Sequence, residues 1–166
     1  MTSTKIYLAG PDVFRTGAGA HFECLKSMAA QKNIEAISPF DSESSPATAR
    51  EIFEVNIRIL HSVNAVFANL TPFRGPGVDD GTAFEIGYAF ALGLKIYGYS
   101  ATAKSSYEII TEMYPAAITK EFPVVENFGH TCNLMIAEAI IKTNGVILSS
   151  YEECLDHYSA ELERKK

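Results

Sequence analysis

Cysteine is scarce in this chain, and positive charge never gathers. The three cysteines among 166 residues, Cys24, Cys132 and Cys154, are odd in number and lack C-x-x-C spacing, which supports neither a disulfide framework nor a zinc site. They read as small buried or half-buried thiols. No run of Lys and Arg exceeds Arg164-Lys165-Lys166, and the net charge is -6 with a pI near 5.2. A nucleic-acid partner is therefore not expected, and a small molecule fits better. No apolar stretch is long enough to span a membrane and nothing at the N-terminus resembles a signal or transit peptide, which sets a cytoplasmic, membrane-free expectation. The four histidines, at 21, 61, 130 and 157, have no spacing that suggests a metal or a triad, so no metal and no organic cofactor is expected. The glycine-containing loop 10–19 fits neither G-x-G-x-x-G nor G-x-x-x-x-G-K-[ST], which leaves a dinucleotide or P-loop assignment weak.

What is present is ordinary for one soluble globular domain spanning 1–166, with 47% hydrophobic and 20% charged residues. Apolar strands are expected at 5–9, 34–38, 65–70 and 95–99, with a last short one at 146–149. Helices are expected at 19–31, 47–61, 82–93, 133–142 and 151–163. Strands alternating with helices predict an α/β fold with a central parallel sheet covered on both faces by right-handed crossovers. Between 101 and 130 the pattern loosens around a short helix near 107–113, and long ordered connections are often functional.

Ligands of such sheets collect at the C-terminal ends of the strands, which brings together the loops 10–19, 39–46 and 71–81. Phe14 and Phe40 sit in polar loops, where stacking on a planar base and plain packing are equally open readings. Arg15 could reach an anion there, although a loop Arg is ordinarily solvated. The densest signal is 69–92, NLTPFRGPGVDDGTAFEIGYAFAL: a strand end, a Pro/Gly loop with two aspartates, then a helix with Glu85 one turn inside. Near a helix N-terminus a carboxylate is expected to stay ionised, the form needed to attack a sugar carbon. Phe84, Ile86, Tyr88, Ala89 and Leu92 surround Glu85 with side chains expected to be buried, and a carboxylate in such company is rare unless paired or functional. Helix capping by Asp79 or Asp80 is the competing explanation of the acidic cluster.

The motifs K-I-Y-L-A-G-P at 5–11, S-P-F-D at 38–41, A-N-L-T-P-F-R-G-P at 68–76, D-x-G-T-A-F-E-I-G-Y-A at 79–89 and N-L-M at 133–135 together resemble the nucleoside 2-deoxyribosyltransferases over most of the chain. The resemblance implies a single-domain flavodoxin-like, Rossmann-like three-layer sandwich. It also implies base exchange on 2'-deoxyribonucleosides with free nucleobases, in nucleoside salvage, through a covalent deoxyribosyl-glutamate intermediate in ping-pong order. By it Glu85 is the nucleophile, Asp79 binds the sugar hydroxyl and Tyr7 orientates the nucleophile. Gly10, Phe14, Phe40, Asp41, Asn56 and Asn69 complete the expected substrate-binding set. Asn133 and Met135 are implied to reach a neighbouring subunit's site, making the active unit a homo-oligomer of at least two chains. One departure stands out: on the helix 47–61 the family often carries a base-protonating aspartate, and this chain has Asn56. An amide hydrogen-bonds but is no general acid at neutral pH, which leaves solvent, Asp41 or another carboxylate to supply the proton. The related 2'-deoxynucleoside 5'-monophosphate N-hydrolases typically have a serine where Asp79 stands, and a carboxylate there would repel a phosphate. A catalytically silent nucleotide-sensing module is the alternative outside enzymes.

Overall fold

In the first strand, β1 (Thr4–Ala9), alternate side chains point to opposite faces of the sheet, and this alternation sets up the whole molecule. Ile6 and Leu8 enter one apolar cluster, under the helices α1 (Ala18–Ala30) and α6 (Tyr151–Arg164). Tyr7 and Ala9 enter the other cluster, under α3 (Asp80–Ala91) and α5 (Leu134–Lys142). The computed structural model describes residues 4–41 and 48–164. Its sheet is all parallel, in the order β2-β1-β3-β4-β5, with β2 at Ile34–Ile37, β3 at Ala65–Asn69, β4 at Lys95–Tyr99 and β5 at Ile147–Leu148. Helices cover both faces, which makes an α/β three-layer sandwich as the strand–helix alternation predicts.

Helix α2 (Ala49–Ser62) begins with a capping box in which Thr48 and Glu51 satisfy each other's backbone N–H. The expected start at 47, and most of the expected loop 39–46, lie outside the described residues. Helix α3 starts at 80 rather than 82 because Asp79 is its N-cap: Oδ2 accepts from the Thr82 N–H at 2.9 Å and from Thr82 Oγ1 at 3.0 Å. It ends before Gly93, whose φ of 71° is left-handed. Its outer face departs from expectation, since Phe84 and Leu92 are exposed, as is Phe90. Phe84 instead stacks on Tyr88 and packs beside Phe53 of α2. The irregular stretch after β4 contains a single turn, α4 (Ser106–Glu108), running into a π-helical turn at Ile109–Met113. No helix among the described residues is long and apolar enough to cross a membrane.

Candidate active site

Strand register delivers Tyr7 to the α3 face, and helical spacing delivers Glu85 to meet it. Thr82, Ile86 and Ala89 bury one side of α3, so Glu85, beside Ile86 and three residues beyond Thr82, lies at the margin of that side and faces a cavity. Tyr7 is fully buried, and its Oη donates to Glu85 Oε1 at 2.7 Å. Asn56 of α2 approaches the same oxygen through Nδ2 at 3.5 Å, while its Oδ1 is buried without a partner.

Burial pushes the Glu85 carboxyl up to about 7; the Tyr7 hydrogen bond acts against that rise and the nearby Asp79 carboxylate adds to it. The expectation of a firmly ionised Glu85 is thus corrected. The helix dipole fades within the first turn, and Glu85 lies beyond that turn, where desolvation wins. The Tyr7 phenol, by contrast, is held well above its ordinary value by burial and by Glu85, so it remains a proton-bearing donor.

The cavity is about 630 Å³, the size of a small-molecule site. Phe14, Phe40, Ile52 and Val55 supply apolar walls, and Gly10, Asn56, Asp79 and Glu85 border it. Phe14 and Phe40 are 57% and 53% exposed, which leaves both rings accessible. Seven of the residues singled out from sequence therefore converge here: Gly10, Phe14, Phe40, Asn56, Asp79 and Glu85 on the wall, with Tyr7 behind Glu85. Ile52 and Val55 had no local signal beyond the apolar periodicity of α2.

Four of the expected site residues neither line this cavity nor contact Glu85. Asp41 turns back to accept from the Ser38 N–H at 2.7 Å and Ser38 Oγ at 2.9 Å, and pairs with Lys26. Burial opposes its ionisation, but the bonds from Lys26 and Ser38 outweigh burial and hold its carboxyl below the usual range. Asn69 gives Nδ2 to Asp12 Oδ2 at 2.8 Å and accepts from the Thr71 N–H. Asn133 caps α5, accepting from the Met135 N–H and donating to Glu126, and Met135 is 72% exposed. Sequence reading passed over Asp12, which ties the turn Pro11–Phe14 to the end of β3 through Asn69. Its signal was a lone acid following a Gly-Pro pair at a strand end. Gly10 is required beside it, because a Cβ there would come within 2.8 Å of Asn69 Cβ and 2.9 Å of Asp12 Oδ2. Among the described residues no group of three or more His, Cys, Asp or Glu is placed to hold a metal ion.

Residues 6–135 match the family model described as nucleoside 2-deoxyribosyltransferase. An uncharacterised protein of Schizosaccharomyces pombe is 31% identical over 121 residues, covering 68% of this chain and 54% of that protein; the chain thus spans about half the length of this curated relative. A 2-deoxyribosyltransferase from Leishmania mexicana superposes with a TM-score of 0.78 at 28% identity, over 95% of this chain and 97% of the other. A conserved protein from Enterococcus faecalis V583 superposes with a TM-score of 0.62 at 24% identity, over 93% and 96% of the two chains, a likeness of fold.

Proposed function

Because the chain belongs to the nucleoside 2-deoxyribosyltransferase family, whose members are enzymes acting on nucleosides, we propose that it moves 2-deoxyribose between nucleobases by way of an ester on Glu85. The observation that carries this reading is the Tyr7 Oη to Glu85 Oε1 contact of 2.7 Å at the edge of a cavity that Asp79 also borders. The base stacks between the accessible rings of Phe14 and Phe40, and Asp79 accepts from a sugar hydroxyl with its Oδ1 while Oδ2 remains on Thr82. Ionised Glu85 attacks the anomeric carbon as the C–N bond breaks, stabilising oxocarbenium character and then capturing it. The departing base takes the bonding electron pair and needs a proton. Asn56 is an amide and Asp41 is held ionised by Lys26 and Ser38, so solvent supplies that proton. A second base then attacks the anomeric carbon from the vacated side, breaking its bond to the Glu85 oxygen, and releases a proton, which frees Glu85 with the original stereochemistry restored. Water does the same more slowly, giving weak hydrolysis.

The active unit in this reading is a homo-oligomer in which Asn133 and Met135 serve a neighbour's site. The exposure of Met135, and of Phe122, Val124 and Phe128 within the same stretch of chain, supports it, since a subunit contact would cover apolar side chains that are otherwise left in water. The physiological setting proposed is nucleoside salvage in the cytoplasm.

Chromatography tests the assignment, with deoxyinosine as donor, adenine or cytosine as acceptor, and deoxyguanosine monophosphate in a parallel reaction. Deoxyadenosine or deoxycytidine should appear with the parent and vanish with Glu85→Gln while the fold persists. Base release from the monophosphate alone would assign a hydrolase, and unchanged exchange by Glu85→Gln would remove Glu85 from the chemistry.

A further inference from the structure

The Asn69 amide, at the end of β3, is engaged at both of its ends. Its Nδ2 donates to Asp12 Oδ2 at 2.8 Å, on the turn that follows β1, and its Oδ1 accepts from the Thr71 N–H at 3.1 Å, on the loop that follows β3. A carboxylate on one side and an N–H on the other fix which way the amide faces. Asp12 is only 4% exposed, and its other oxygen, Oδ1, lies 3.1 Å from His21 Nε2 and 3.4 Å from Arg15 Nη1. A buried ion pair adds little net stability, so this one is better explained by what it holds in place.

The two segments it joins carry a pair of rings. Phe14 closes the turn and Phe73 follows Thr71 by two residues; the rings lie 16° from parallel with centroids 5.3 Å apart. Arg74, at a left-handed φ of 54°, lays its guanidinium over both, 5.1 Å and 4.7 Å from the centroids. The turn gives Val13 and Phe14 to the wall of the Glu85 cavity, and the loop runs on to Asp79, which borders that cavity. The Asp12–Asn69 bond therefore ties the two segments at their roots, and the ring stack ties them at their tips.

We infer that Asp12 and Asn69 are positioning residues for the Glu85 site: their hydrogen bond straps the turn to the loop and sets where the Phe14 ring stands beside the cavity. Neither lines that cavity, and each acts through Phe14. The kinetic consequence rests on the base-exchange reading of Glu85. A strap that places a stacking ring governs base affinity rather than bond breaking, so it belongs to KM more than to kcat.

The strap needs one carboxylate and one amide, which makes it testable by a swap. Asn69→Asp sets two carboxylates against each other across a buried 2.8 Å contact, whereas Asp12→Asn combined with Asn69→Asp again faces a donor with an acceptor and leaves an oxygen for Thr71. The chain has no tryptophan, so Phe14→Trp, added to each protein, supplies a single emitting ring whose anisotropy reports how firmly position 14 is held, whatever the chemistry. Asn69→Asp should raise the KM of the donor nucleoside about tenfold, the loss of one base–aromatic stack, with kcat little changed, and should lower the anisotropy. The swap should return both toward the parent. Melting curves check the fold, and if Asn69→Asp does not fold, Asn69→Ala, which removes both ends of the strap, should show the same two effects. Unchanged KM or unchanged anisotropy in a folded single variant, or a swap that melts like the parent yet stays impaired, overturns the proposal. A parent with no base exchange would strike the reading of Glu85, and the anisotropy series would then decide the strap by itself.

Discussion

Tyr7 and Asp79 act on Glu85 in opposite directions, with burial setting the scale at a carboxyl pKa of about 7. In the proposed reaction Glu85 attacks as the anion, so kcat/KM for a deoxynucleoside should fall about tenfold per pH unit below about pH 7. Tyr7→Phe removes the donor that stabilises the anion and should move this limb up, whereas Asp79→Asn removes a like charge and should move it down. A pH–rate profile of the three proteins checks both signs. Stability carries the same signature. A folded-state value above the ordinary 4.5 means the folded chain binds the proton more tightly, so this contribution is full below about pH 4.5 and is lost as pH rises through 7. Glu85→Gln escapes the loss, and its stability advantage should grow by ~2–3 kcal/mol between pH 5 and pH 8, widening the gap in Tm by ~5 °C or more. Parallel melting curves at both pH values would contradict this account. Glu85 and Asp79 were legible because each lies in a motif with a local structural sense, whereas the pairing of Tyr7 with Glu85 was implied only by the family resemblance. The Glu85 proton affinity was not legible, since burial in the folded chain sets it and its Tyr7 donor comes from 78 residues away. Asp41 and Asn69 were misleading for the same reason: their partners Lys26 and Asp12 come from other segments.

At the scale of elements, the start of α3 joins capping to the site. Asp79→Ala should lower stability by ~1 kcal/mol through the lost cap, whereas Asp79→Asn keeps an accepting oxygen for Thr82 and should melt close to the parent; denaturation of the pair separates the capping contribution from the charge. The turn after β1 makes a second case. Gly10→Ala should force the turn Pro11–Phe14 away from Asn69, raising KM more than it lowers kcat because Phe14 moves with the turn. Steady-state kinetics beside a melting curve would show this, and an unchanged KM would mean the turn yields without moving Phe14. Element existence was readable from apolar periodicity, and β4 fell where expected. The two-residue shift of α3 was not readable, because Asp79 and Asp80 both suit a cap and the buried Thr82 hydroxyl decides between them. The π-helical turn at Ile109–Met113 leaves no mark in a hydrophobic pattern, because it differs from an α-turn only in hydrogen-bond register.

For the whole molecule, alternation of strands and helices foretold the parallel sheet and its two covered faces, but exposure of apolar side chains was not legible. Phe84 and Leu92 resemble core residues in sequence, and only the packing shows them exposed, as Phe128 and Met135 also are. If they meet another copy, sedimentation should report at least a dimer, and Met135→Glu should shift it toward monomer with loss of base exchange; a monomer at full activity would end the oligomeric reading. The alternation in β1 has a wider consequence. Tyr7 points to one face because Ile6 and Leu8 are committed to the other, so a one-residue insertion ahead of it would undo the Tyr7–Glu85 contact and the packing together. The alignment of Tyr7 with Glu85 is therefore read with the same ruler as folding: a chain that has mispaired β1 fails to mature at all, and a stably folded population with Tyr7 turned away from Glu85 is not reachable by that route.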